Sequence, residues 1–250
     1  MGEFAAIRER AETRKGGAEA LQLLMPRMLS ERRFRALGND RVLATMCRVI
    51  NQAGFNWTVI ANKWPEFEEA FYGFSLARLT TLSPEEWEAY RHDRRIVRHW
   101  PKIQALRDNV FFVMEHAAEH GSFAKFMATY PPSAQVELLA YLKKHGYRLG
   151  GNTGQWFLRY LGRDGFVLTR DVVTVIRSLG HTIAEEPSSK RDLATVQSVF
   201  NAWHEESGLP YSHLSRIAAC SVGSNIEATH LQAEIAKFEK SQAKSRGGSS

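Results

Sequence analysis

Leu106, Val110, Val113, Met114 and Ala117 recur at the spacing that puts side chains on one face of an α-helix. Val136, Leu139, Ala140 and Leu142 repeat the pattern, and Leu193, Val196, Val199, Phe200 and Trp203 repeat it again. No stretch alternates apolar and polar residues with period two between hairpin turns, so an all-α fold is expected. Ser83-Pro84-Glu85-Glu86 reads as a helix start, with an N-cap, a proline at the first helical position and acids at the positive end of the dipole. Connections are short and carry Gly or Pro, as at Phe71-Tyr72-Gly73-Phe74 and Ser207-Gly208-Leu209-Pro210.

The ends differ from the middle. Residues 1–38 contain Gly16-Gly17 and many charges, and read as a helical arm outside the main core. Residues 39–230 read as the body, one all-α unit of two helical lobes. Residues 231–250 are basic, end in Arg246-Gly247-Gly248-Ser249-Ser250, and bury too little apolar surface to order themselves. Apolar runs such as Val110-Phe111-Phe112-Val113-Met114 are too short to span a bilayer. The first residues carry arginines but no apolar signal core, so neither membrane nor export is expected. Cys47 and Cys220 alone cannot build a disulfide framework or a four-cysteine metal site, which suits a reducing compartment.

The formal net charge is +6. Much of it falls in residues 91–107, where Arg91, Arg94, Arg95, Arg98, Lys102 and Arg107 face Asp93 alone. Such a cluster is a solvated helix face or a phosphate-binding surface; charge by itself does not choose.

Three stretches narrow the choice. Met46-Cys47-Arg48-Val49-Ile50-Asn51-Gln52-Ala53-Gly54-Phe55-Asn56-Trp57 is the first. Phe67-Glu68-Glu69-Ala70-Phe71 with Arg95-Ile96-Val97-Arg98-His99-Trp100-Pro101-Lys102-Ile103-Gln104-Ala105 is the second, and Leu142-Lys143-Lys144-His145-Gly146-Tyr147-Arg148-Leu149-Gly150-Gly151-Asn152-Thr153 the third. In this order they resemble the DNA-3-methyladenine glycosylase I family of bacterial base-excision repair, over about residues 39–180. The resemblance implies the helix-hairpin-helix DNA glycosylase fold, two helical lobes around a base-binding pocket. It also implies a cytoplasmic, nucleoid-associated monomer acting on double-stranded DNA with alkylated bases, with no cofactor.

A glycosylase extrudes the damaged nucleotide, stacks its base and stabilises the positive charge growing on the sugar. Trp57 occupies the family's stacking position, where an indole face attracts a cationic N3-alkylated adenine; alone it would read as a core tryptophan. Asn51 and Gln52 are candidates for reading the base edge, and equally for a capping or interhelical hydrogen bond. Arg98, Lys102, Lys144 and Arg148, with Gly150, Gly151 and Thr153 of the hairpin, are the expected phosphate contacts.

The chain also departs from the family. A pocket glutamate is expected upstream of Gln-Ala-Gly, and Val49 stands there, which cannot hydrogen-bond a base. The family's zinc ligands have no counterpart in Cys47, Cys220 or His213, so no metal is expected. Arg148 stands where the superfamily hairpin has its first glycine. Asn152 replaces the lysine that gives some superfamily members strand cleavage, which implies a monofunctional hydrolase. Asp171 falls eighteen residues after Thr153, the superfamily spacing for a carboxylate that stabilises the oxocarbenium sugar or orients water. As the opening residue of a helix it is equally an N-cap. The alternative to a glycosylase is a catalytically silent protein of the same fold that binds damaged or distorted DNA.

Overall fold

The computed structural model describes residues 2–224, so the tail expected at 231–250 lies outside it. Among the described residues there is no strand. The helices are α1 (Glu3–Lys15), α2 (Ala18–Gln22), α3 (Glu31–Arg35), α4 (Asn39–Gln52), α5 (Trp57–Ala70), α6 (Leu76–Leu79) and α7 (Pro84–Ala89). They continue as α8 (Trp100–His120), α9 (Phe123–Met127), α10 (Gln135–His145), α11 (Asn152–Tyr160), α12 (Arg170–Ser178), α13 (Lys190–Ser207) and α14 (Tyr211–Cys220). The expected start at Ser83 is a full capping box: Ser83 Oγ accepts from Glu86 N–H, and Glu86 Oε2 accepts from Ser83 N–H at 2.7 Å. No described helix is long and apolar enough to cross a membrane.

The chain forms two compact units. A central unit comprises residues 30–130 and 138–161, and a terminal unit the described residues 2–29, 131–137 and 162–224.

In the central unit α4 packs against α5, α8, α9 and α11. Its Val42, Leu43, Met46, Val49 and Ile50 are buried, as are Ile103, Leu106, Val110 and Val113 of α8. Trp64 of α5 stacks between Phe67 and Phe74, with centroids 5.5 and 5.6 Å away. The α8 stripe departs from expectation at one end: Met114 is exposed, because α8 turns only one side to its neighbours. On α10 the buried residues are Leu138 and Leu142, whereas Ala140 is exposed.

The terminal unit corrects the reading of residues 1–38 as an outlying arm. Phe4, Ile7 and Ala11 of α1 are buried in one core with Val172 and Ile176 of α12, Phe200 and Trp203 of α13 and Leu214 of α14. Glu206 closes the start of α1 by accepting from the N–H groups of Phe4 and Ala5, at 3.0 and 2.9 Å. Trp203 Nε1 donates to Glu3 Oε1 at 2.8 Å. The charges that suggested an arm lie on the outer face of a helix whose inner face is apolar. Residues 2–29 are accordingly built into the terminal unit and residues 30–38 into the central one.

Candidate base-binding site

Helix α4 stops where Ala53 turns extended and Gly54 adopts φ +73°, and Asn56 restarts the chain by accepting from Thr58 N–H at 2.9 Å. The last turn of α4 thus delivers Asn51 and Gln52 to a short exposed loop, and Trp57 opens the helix that follows. Trp57 is 47% exposed, and its ring meets Trp156 of α11 edge-on at 6.0 Å. Nearly half of the indole is therefore open to solvent, where a stacking partner could reach it.

The two amides at the end of α4 have different surroundings. Asn51 is spent within its own helix: Nδ2 donates to Cys47 O at 2.8 Å and contacts Cys47 Sγ at 3.4 Å. Gln52 is 4% exposed, yet its Oε1 is buried without a hydrogen-bond partner. A bare buried acceptor costs about 1–3 kcal/mol, which an incoming donor would recover.

One turn deeper lies Arg48, only 2% exposed, with its guanidinium 5.2 Å from the Trp64 ring. Burial lowers its pKa, while Tyr160 and Glu68 act in the opposite direction. Glu68, the carboxylate facing it from α5, is already engaged by both terminal nitrogens of Arg41 and by Trp64 Nε1, each at 3.0 Å. Val49 is packed in the core and offers no polar atom.

Lys102 corrects an expectation. It is 6% exposed, and its ammonium donates to Asn51 O at 3.0 Å and Ala53 O at 2.7 Å while lying 4.3 Å from the Phe55 ring centre. It caps the C-terminus of α4 and holds the exposed loop; it is not turned toward a phosphate. Burial first, then the field of Arg148, brings its pKa down to about 8. Behind it Cys47, Asn51, Ile96, Ile103 and Leu106 line a crevice too tight for a water molecule. Burial holds the Cys47 thiol well above its ordinary pKa, so it is no nucleophile.

The basic run is not one cationic face either. Arg95 pairs with Asp93 and Glu69, Arg107 pairs with Asp108, and Arg91 lies 4.1 Å from the Trp100 ring centre. Arg91, Arg94 and Arg98 are exposed, and among the described residues Arg94 and Arg98 also lack the aromatic contact that Arg91 makes. On the hairpin joining α10 to α11, Lys144, Arg148 and Gly151 are exposed, Gly150 and Thr153 partly so. Arg148 has φ +59°, so the position matched to a glycine does adopt the left-handed backbone that glycine tolerates best. Gly146 is required by crowding: a Cβ there would sit 2.8 Å from Leu142 O.

Asp171 belongs to the terminal unit, whereas Trp57, Gln52, Asn51, Lys102 and Arg148 share the central one. It is not the N-cap of α12: Thr169 fills that position, its Oγ1 accepting from Val172 N–H at 3.3 Å. The Asp171 carboxylate instead packs on Gly223, where an added Cβ would lie 2.7 Å from Oδ1. Arg14 Nη2 donates to Gly223 O at 2.6 Å beside it. Sequence reasoning missed Arg48 and Trp156, although both lie inside the matched stretches or next to them; an arginine among core residues gives no periodic signal of its own.

A profile of the methyladenine glycosylase family matches residues 34–156, just under half of the chain. The match ends before Asp171. The DNA-3-methyladenine glycosylase 1 of Escherichia coli strain K12 is 23% identical over 133 residues, covering 46% of this chain and 71% of the relative. The solved 3-methyladenine DNA glycosylase I of Staphylococcus aureus is 22% identical at a TM-score of 0.44, covering 50% of this chain and 77% of that one. Another solved 3-methyladenine DNA glycosylase I is 24% identical at 0.43, covering 50% and 79%.

Proposed function

With residues 34–156 methyladenine glycosylase-like, we propose that the protein is a monofunctional DNA glycosylase that removes altered purines from double-stranded DNA, alkylated purines being the class implied by the resemblance. The observation that carries this reading is the half-exposed indole of Trp57 together with the bare, buried acceptor of Gln52 at the end of the preceding helix. An extruded base gains stacking from the first and a hydrogen bond from the second.

In this reading Arg98, Lys144 and Arg148, with Gly150, Gly151 and Thr153, hold the phosphate backbone independently of sequence. For Asp171, on the terminal unit, the spacing from Thr153 supports a carboxylate that stabilises the oxocarbenium sugar or orients the attacking water. Asn152 has no nucleophilic amine, so hydrolysis is not followed by strand cleavage. The protein acts as a monomer.

The test is single-turnover release of 3-methyladenine from alkylated duplex DNA, run beside binding to an abasic-site analogue. Release of base supports the enzyme. A second reading, a silent binder of damaged DNA, is favoured by Val49 in place of the expected carboxylate. Tight binding of the abasic duplex with no base released from any lesion would establish it instead.

A further inference from the structure

The electrostatics around Gln52 have a consequence for the substrate. Helices α4 and α11 pack together, and Arg48, one turn before Gln52 on α4, interacts with Tyr160, one turn after Trp156 on α11. Of the aromatic pair, Trp57 follows α4 and Trp156 lies on α11, and along α4 itself the neutral amide of Gln52 stands one turn from the buried guanidinium of Arg48. Neither Val49 nor Glu68 supplies a free carboxylate to the base. Val49 has none, and Glu68 is taken up by Arg41 and Trp64. A cationic base would gain no counter-charge from these two positions and would meet a like charge at Arg48, one helical turn from Gln52.

Resting on the glycosylase reading, we propose that Gln52 reads the lactam edge of a neutral, deaminated purine, and that the site takes such a base in preference to a cationic alkylated one. A lactam presents a ring N–H beside a carbonyl oxygen. A glutamine amide matches it with an acceptor and a donor in the same geometry, so that both partners are satisfied at once. Adenine, which has a ring acceptor where the lactam has N–H, is matched only when the Gln52 amide turns over and gives up the orientation the structure shows.

The full-length protein is tested with duplexes containing one hypoxanthine, one 3-methyladenine or an abasic-site analogue, by equilibrium binding and by single-turnover base release. The parent protein should favour hypoxanthine over 3-methyladenine by about tenfold or more, the discrimination of one good bidentate pair. Gln52→Leu should lose that preference and keep its affinity for the abasic duplex, with thermal melting to verify folding. Gln52→Glu should reverse the preference, since a carboxylate cannot donate and attracts a cation. A parent that favours 3-methyladenine, or an unchanged ratio in Gln52→Leu, overturns the lactam assignment while abasic binding leaves the wider reading standing. Failure to bind any altered duplex above undamaged DNA overturns both.

Discussion

The ammonium of Lys102 lies 2.7 Å from the carbonyl oxygen of Ala53. This bond ties the first turn of α8 to the end of α4, and so fixes the loop from which Phe55 and Trp57 project. A lysine read as part of a phosphate-binding surface is thereby a structural clamp beneath the proposed stacking platform.

The salt dependence of DNA binding separates these roles. Arg98→Ala and Lys144→Ala should each flatten the slope of log K against log salt by about one unit, as loss of one phosphate contact does. Lys102→Met should leave the slope unaltered and weaken lesion binding through the loosened loop. A flattened slope for Lys102→Met, or parental slopes for the other two, would refute this division.

Stability should follow the titration of Lys102. Its pKa in the folded protein, about 8, lies below the ordinary lysine value, so the unfolded chain binds that proton more tightly. The folded state therefore carries a penalty at pH below 8, which is relieved as pH rises from about 8 toward 10.5. Measured by urea denaturation against Lys102→Met at each pH, the parent's relative stability should increase across that window. A flat or falling difference contradicts the assignment.

Phe4 is fully buried and packs on Trp203 at 5.4 Å, so α1 is part of the terminal core. Phe4→Ala should cost about 3–5 kcal/mol in chemical denaturation. An arm lying outside the core would lose less than about 0.5 kcal/mol at the same position.

The sequence carried the helical class because apolar spacing is local and survives in any tertiary arrangement; the stripes on α8 and α13 show it. Partition into units was not legible in the same way. Phe4, Ile7 and Ala11 repeat at helical spacing too, but their partners are some two hundred residues away, and the charges between them dominate the local composition. Within the site, Asn51 and Gln52 are chemically alike and adjacent. Only the turn of the helix decides that one bonds back to Cys47 and the other is left bare. The basic run misled for a related reason: charge is countable in sequence, whereas the pairing of Arg95 and Arg107 and the burial of Lys102 depend on folded neighbours.

Asp171 and Trp57 should fail in different ways if the proposed chemistry is right. Asp171→Asn removes the negative charge proposed to stabilise the developing cation, so single-turnover excision should fall roughly 10²-fold or more, about 3 kcal/mol, with little change in DNA binding. Trp57→Ala removes stacking of about 1–3 kcal/mol, and should weaken capture of the lesion before the chemical step. The Asn variant also discriminates against a purely structural role. Thr169 already caps α12, and an amide packs on Gly223 nearly as a carboxylate does, so a structural Asp171 would leave both stability and excision near parental values. The decisive quantity is the excision rate of Asp171→Asn at saturating enzyme on whichever altered base the parent releases fastest. A parental rate there ends the catalytic role of Asp171, and leaves Trp57 and Gln52 as the binding elements of a site whose charge stabilisation comes from elsewhere.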